Sequence, residues 1–201
     1  MSIWDDIKIK IASKPEWKMV EAVRRQVFVK EQKIPESKEF VNDGPATDII
    51  AYIQKRYRKL PIGTMRIRHF SGFVMFERMA VTKNFRKTSV AQDIMQYAYD
   101  YVSMKGYTKV KAACKPELLS RWEQCGYRKS ENPKPFEHNG MTLIPIECDL
   151  PPNPRALTIN SDFSLLIAPE EEWFDDKPKV EQKKSKLDMW ILRLRNKLQS
   201  I

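Results

Sequence analysis

The chain has 201 residues, with 36 Lys and Arg against 26 Asp and Glu and a formal net charge of +10; this suits one well-buried domain with an appendage and is short for two. No apolar run approaches the roughly 18 residues of a membrane span, and the N-terminus lacks the basic-then-apolar pattern of a signal peptide. Cys114, Cys125 and Cys148 have neither disulfide-framework nor zinc spacing, so the expectation is a cytoplasmic protein with no metal and an acidic partner: nucleic acid, anionic lipid, a phosphorylated cofactor or an acidic carrier protein.

In chain order, Ile7, Ile9 and Ile11 alternate with lysines as a half-buried strand does. Ser13 and Pro15 start a helix whose apolar face is Trp17, Val20, Val23, Val27 and Phe28. Residues 33–46 read as a loop or lid. A hairpin over 48–57 and 62–70 is predicted to bend at LPIG, with Gly63 at a bulge. Ser71 and Gly72 turn into a strand over 73–81. A helix follows from Val90, its apolar residues Val90, Ile94, Tyr97, Ala98 and Tyr101 at helical spacing, and Gly106 ends it. YTKVKAAC alternates as a strand, PELLSRWEQCGY is a short helix, and MTLIPIECDL is a last strand placed by Pro145 at an edge or bulge.

The predicted fold class is a mixed, mostly antiparallel α/β (α+β) sheet flanked by helices, over residues 1–150. PPNPRAL opens a proline- and charge-rich linker over 151–185, in which 161–168 reads as a short strand or docked segment. Residues 186–201 form a basic amphipathic helix: Leu187, Trp190, Ile191, Leu194, Leu198 and Ile201 share helical spacing among lysines and arginines. Such a helix packs on its own domain or docks on an anionic membrane surface or a protein complex, the latter giving a peripheral membrane location.

The basic loop between the strand and the central helix, 83–89, is a candidate anion cradle. A loop that opens a helix exposes unpaired amides at the positive end of the helix dipole, and Arg86 and Lys87 add charge. No dedicated nucleic-acid motif accompanies it.

VRRQVFVKEQKIP, FERMAV and NFRKTSVA, with the order of elements, resemble the GCN5-related N-acetyltransferase (GNAT) superfamily over roughly residues 5–150. The resemblance implies a donor, acetyl-CoA, a longer acyl-CoA or an acyl carrier protein, and direct acyl transfer to an amine. It places the donor's pantetheine along Met79, Ala80 and Val81, and its pyrophosphate on the loop amides of Arg86, Lys87, Thr88, Ser89, Val90 and Ala91. CKPELLSRWEQCGYRKSENPKPFEHNGMTLIPI resembles the branch of N-acyl amino acid synthases and acyl-homoserine lactone synthases, which also carries residues comparable to Arg24 with Phe28 and to Glu77 with Arg78. Two positions depart from the superfamily pattern. Ser89 stands where the loop usually has glycine, and Trp122 stands near a usual tyrosine general acid, for which an indole cannot substitute.

For amide formation Glu77 is the general-base candidate, against the alternative of a salt bridge to a nearby arginine such as Arg66 or Arg78. Arg24, Arg25, Arg66 and Arg68 are candidates to clamp an acidic acceptor through bidentate geometry, against the alternative that Arg66 and Arg68, which share one strand face, are two solvated surface charges. Asp43 and Asp48 read as caps or amine contacts, His69 and His138 as polar surface, and Tyr97 and Tyr101 as core. Because the departures fall in the donor loop and at the general acid, a second reading of the same fold is a catalytically inactive binding or assembly module docked through 187–201.

Overall fold

The computed structural model describes residues 7–40, 45–170 and 174. By internal contacts the chain forms two compact units, one of Met1–Arg68 with Phe76–Ala98 and one of His69–Met75 with Tyr99–Ile201.

In the first unit β1 (Ile7–Ile11) pairs antiparallel with β2 (Thr47–Gln54), and β2 with β3 (Lys59–Phe70). Beyond β3 lies β4 (Phe73–Val81), which continues the unit from Phe76. Six successive β2 residues, Asp48 to Ile53, are buried, so both faces of this strand are covered and its sequence is an apolar run rather than an alternation. The hairpin bends at Lys55–Arg58, where the Lys55 amide donates to the Arg58 carbonyl at 2.8 Å; LPIG lies inside β3. Its glycine serves packing. The register passes from Ala51↔Gly63 to Tyr52↔Pro61, leaving Ile62 as the extra residue of a bulge.

Helix α1 (Trp17–Arg24) buries Val20 and Val23, then widens over Arg25–Glu31 into π-helical turns. The Gln32 amide reaches back five residues to the Val27 carbonyl at 3.0 Å. The segment read as a loop contains a one-turn helix, α2 (Glu36–Glu39). Helix α3 (Val90–Met104) contributes its first nine residues to this unit, with Val90, Ile94 and Ala98 fully buried.

In the second unit β5 (Lys109–Cys114) runs parallel to the start of β4, Val74↔Val110, and antiparallel to β8 (Met141–Asp149) along its whole length. The second side of β8 is shared by β7 (Phe136–His138) and the two-residue β6 (Arg128–Lys129). Pro145 is therefore neither at an edge nor at a bulge: it lies between the β7 and β6 pairings, and its carbonyl accepts from the Ser130 amide at 3.1 Å. A proline is tolerated where no ladder amide is required. The short helix is α4 (Leu119–Gln124), led by a 3₁₀ turn at Pro116–Leu118.

After residue 150 the chain packs back onto this unit. The Leu157 amide donates to the Met104 carbonyl at 2.7 Å, and Asn153 Nδ2 to Ser103 Oγ at 3.2 Å. Residues 161–168 contain a helix rather than a strand, α5 (Phe163–Ile167), capped by Asp162, whose carboxylate accepts from the Ser164 amide at 2.8 Å. Glu170, expected in the charged linker, accepts from the Tyr101 hydroxyl at 2.5 Å and pairs with Lys105. Asp43 and the amphipathic segment 186–201 lie outside the described residues. Among the described residues no helix is long and apolar enough to cross a membrane.

Candidate active site

Strand β4 departs from period two. Its residues alternate in burial to Phe76, but Glu77, Arg78 and Met79 are all half-buried before Ala80 and Val81 return to the core. The cause is Arg78, whose φ of 54° puts a non-glycine residue in the left-handed region in mid-strand. That conformation costs on the order of 1–3 kcal/mol and persists only where the surroundings over-determine it. Here they do so through charge. Glu39 Oε2 lies 3.1 Å from Arg78 Nε, while its Oε1 accepts from Arg24 Nε at 2.7 Å and its backbone carbonyl from Arg24 Nη2 at 2.8 Å. The side chains of Arg24 and Glu39 are both 0% exposed.

The strand ends in a cleft of about 500 Å³ lined by Val27, Glu31 and Gln32 of the π-helical segment, Met79, Ala80 and Val81 of β4, and Arg86 and Ala91. A single 3₁₀ turn, Lys83–Phe85, redirects the chain from β4 toward α3. Among the described residues the amides of Lys87, Thr88 and Ser89 meet no acceptor, while the Val90 amide is turned toward Thr88 Oγ1 at 3.4 Å. Free amides at the start of a 15-residue helix suit an anion. Ser89 has no positive φ, so a Cβ is accepted there without backbone strain, and its hydroxyl donates to Asp93 Oδ2 at 2.7 Å. Arg86 is already engaged: its Nε donates to the Val81 carbonyl at 2.9 Å and its Nη2 pairs with Glu31.

The structure thus brings together Met79, Ala80, Val81, Arg86 and Ala91 of the expected donor residues, joins Glu31 and Gln32 to them, and keeps Val90 in the core. Glu77, 18% exposed at its side chain, accepts from Arg68 Nε at 3.0 Å; its partner is Arg68, and neither Arg66 nor Arg78. Arg66 is buried, its two nitrogens 3.1 Å from the two oxygens of Asp48, its cross-strand neighbour. Arg24 and Phe28 are buried in the core. Arg24 and Arg66 therefore form internal ion pairs and not an open clamp, and Arg66 is not a solvated surface charge. Sequence reasoning missed the Arg78 backbone, which no glycine marks, and the Glu39 pairing, which lies 15 residues from Arg24 in a stretch read as loop.

The second unit buries phenols and a thiol of its own. Tyr99 and Tyr127 share a 3.0 Å hydroxyl hydrogen bond, and burial pushes both well above the usual phenol value. Burial likewise pushes the Cys148 thiol up to about 12. Trp122 packs edge-on against Tyr127 at 4.9 Å between ring centroids. His69, read as surface, packs against the rings of Tyr101 and Tyr107. Among the described residues no group of three His, Cys, Asp or Glu side chains is placed to hold a metal ion.

Comparison with known proteins gives these features a setting. A family model described as an acetyltransferase (GNAT) domain matches residues 21–150. A Bacillus subtilis protein named as a candidate acetyltransferase is 28% identical over 123 residues, 59% of this chain and 81% of that protein. Among solved structures, a candidate N-acetyltransferase from Lactobacillus plantarum matches with a TM-score of 0.63 at 22% identity, over 71% of this chain and 97% of that one. An acyl-CoA N-acyltransferase from Pseudomonas aeruginosa matches at 0.59 and 18%, over 71% and 98%. Nothing in these matches singles out the N-acyl amino acid synthase branch.

Proposed function

The chain belongs to the acetyltransferase (GNAT) family, whose fold carries out acyl transfer to an amine, and we propose that its donor is an acyl-CoA, with acetyl as the transferred group, held in the cleft at the end of β4. The observation that carries this reading is the coincidence in one cleft of Met79, Ala80 and Val81 with Arg86 and Ala91, beside unpaired loop amides. The residues present fit the donor. An apolar strand backbone accommodates a pantetheine arm, and the amides of Lys87 to Ser89 with the Arg86 guanidinium accommodate phosphates.

A bound donor supplies an activated acyl thioester. The remaining tasks fall to this chain: a base must take a proton from the ammonium form of the acceptor, and a donor must face the developing oxyanion. Glu77 is assigned the first task. Its carboxylate is half-buried in the strand that lines the cleft and is oriented by Arg68. A backbone amide near Met79, next to the left-handed residue Arg78, is assigned the second. The name of the Bacillus subtilis relative supports acetyl as the group, and the P. aeruginosa fold neighbour supports CoA rather than a carrier protein.

Calorimetric titration with CoA and acetyl-CoA tests the donor. Binding is expected, and Arg86→Glu should weaken it by about tenfold or more, since a charge-assisted contact becomes a repulsion. Glu77→Gln should lower turnover by about a hundredfold or more while CoA affinity stays within about twofold, as expected for loss of a general base. If neither CoA nor acetyl-CoA binds and only an acylated carrier protein supports turnover, the donor is the carrier.

A further inference from the structure

The tip of the β2–β3 hairpin is a cationic surface that does not line the donor cleft. Its turn, Lys55–Arg58, is closed through the backbone by the Lys55 amide and the Arg58 carbonyl, and every residue from Gln54 to Leu60 is exposed. No Asp or Glu occurs between Asp48 and Glu77, so the hairpin itself supplies no counter-charge beyond the start of β2. At the base of the tip Lys59 is neutralised by Glu16, 3.0 Å away. The charges of Lys55, Arg56 and Arg58 are not: among the described residues none of the three meets a carboxylate or donates a side-chain hydrogen bond. Apolar surface stands among them, with Tyr57 84% exposed and Leu60 42% exposed.

The composition of the tip selects among acidic partners. The Arg56 guanidinium lies 5.0 Å from the centroid of the Tyr57 ring, so one face of the ring is covered and does not serve as a stacking platform for a base. A protruding tip of this size also falls short of the roughly 800 Å² per partner that a stable protein interface buries. An amphipathic ring and a leucine set among lysine and arginine match instead the layer between water and lipid, where aromatic side chains sit at the level of the headgroups. We propose that the tip docks on an anionic lipid bilayer, with Lys55, Arg56 and Arg58 against the headgroups and Tyr57 and Leu60 in the interfacial layer. Each Lys or Arg near such a surface raises binding about fivefold, and three raise it about a hundredfold. That makes a reversible contact, sensitive to salt, rather than an anchor.

Sedimentation of the full chain with phosphatidylcholine vesicles, with and without phosphatidylserine, tests this. The chain should partition onto the phosphatidylserine vesicles at low salt and leave them as salt rises. Lys55→Gln, Arg56→Gln and Arg58→Gln together should lower that partitioning about a hundredfold. The same three-charge loss at Lys109, Lys129 and Lys134, exposed lysines of the second unit, should change it by less than about threefold, since only charges within a Debye length of the bilayer count. Tyr57→Ala should lower it about threefold or more at both salt concentrations, because an apolar contact is not screened. The turn closes through its backbone, so an unchanged melting temperature should accompany each tip variant. No partitioning by the wild-type chain overturns the proposal, as does a tip variant that binds like wild type, which would assign the contact to another surface such as residues 187–201. Equal losses in the two triple variants would reduce the effect to net charge and overturn it too. Retention of a DNA duplex through the tip without retention on vesicles would make the partner a nucleic acid instead.

Discussion

Glu31 and Arg86 meet at the mouth of the cleft, and their pairing sets a cost on donor binding. The arginine that the loop offers to phosphate is engaged by a carboxylate that lines the same cleft. At 44% and 30% side-chain exposure such a pair is worth at most about 1 kcal/mol, so an incoming pyrophosphate can displace it. Glu31→Gln removes both the competitor and a like charge, and should tighten CoA binding about three- to tenfold at low salt. The gain should shrink as ionic strength rises, because exposed charges are screened; calorimetry at two salt concentrations measures both. Equal affinities would show that Arg86 does not reach the donor. Residues of this kind were only half legible in the sequence. Arg86 stood out because it follows a strand and opens a helix, whereas its partner Glu31 gave no signal, since nothing in a helical pattern announces π-helical turns. Arg24 and Arg66 failed as clamp candidates for a related reason: whether an arginine is exposed depends on a carboxylate brought to it by the fold.

At the level of elements, hydrophobic periodicity recovered β1, α3 and β5, because each buries one face or stripe and so writes its period into the chain. The hairpin bend was displaced because Lys55–Arg58 lacks glycine and proline while LPIG, inside β3, has both. Gly63 is there for contact. A Cβ at that position would stand 2.7 Å from Ile94 Cδ1, 3.3 Å from Val90 Cγ1 and 3.3 Å from the Ala80 carbonyl oxygen. It is where β3 meets the first turns of α3 and the strand that lines the cleft. Gly63→Ala should therefore cost about 1–3 kcal/mol, the range for overpacking a tight core, read as a lower urea midpoint with an unchanged slope. The closest atom is the tip of a side chain, so Ile94→Val should relieve part of the clash. The double variant should lose less than the sum of the single losses, by about 0.5 kcal/mol or more. Strict additivity would place the strain on the Ala80 carbonyl instead. Residues 161–168 misled because five helical residues are too few to show a helical period, and Asp162, their cap, was the one usable sign.

At the scale of the whole molecule, the chain beyond residue 150 read as a spacer because prolines and charges carry no hydrophobic period, yet it docks on the second unit through backbone and charge. Its last described anchors are Glu170, held by Tyr101 and Lys105, and Phe174, edge-on to Tyr101 at 5.5 Å. Burial raises the Glu170 pKa, but the hydrogen bonds from Lys105 and Tyr101 outweigh it and hold the carboxyl below its ordinary value of 4.5. His69 packs on the same Tyr101; burial and the Lys105 charge hold its imidazole below 6.5, against a smaller opposing pull from Glu170. Both folded-state values are depressed, so each group's contribution to stability is present above its ordinary value and is lost as pH falls through its folded value. Acidification should then loosen this unit in two stages, His69 first, below 6.5, and Glu170 afterwards, below 4.5. Glu170→Gln should lower the melting temperature at pH 7, where the ionised pair is intact, and should flatten the lower stage while the upper one persists and deepens, because the opposing pull on His69 is gone. Melting curves across this pH range, with limited proteolysis after residue 150 as a second readout, check both. A lower stage that survives in Glu170→Gln would assign the acid sensitivity to other carboxylates and leave the extension held by its contacts at Met104 and Ser103.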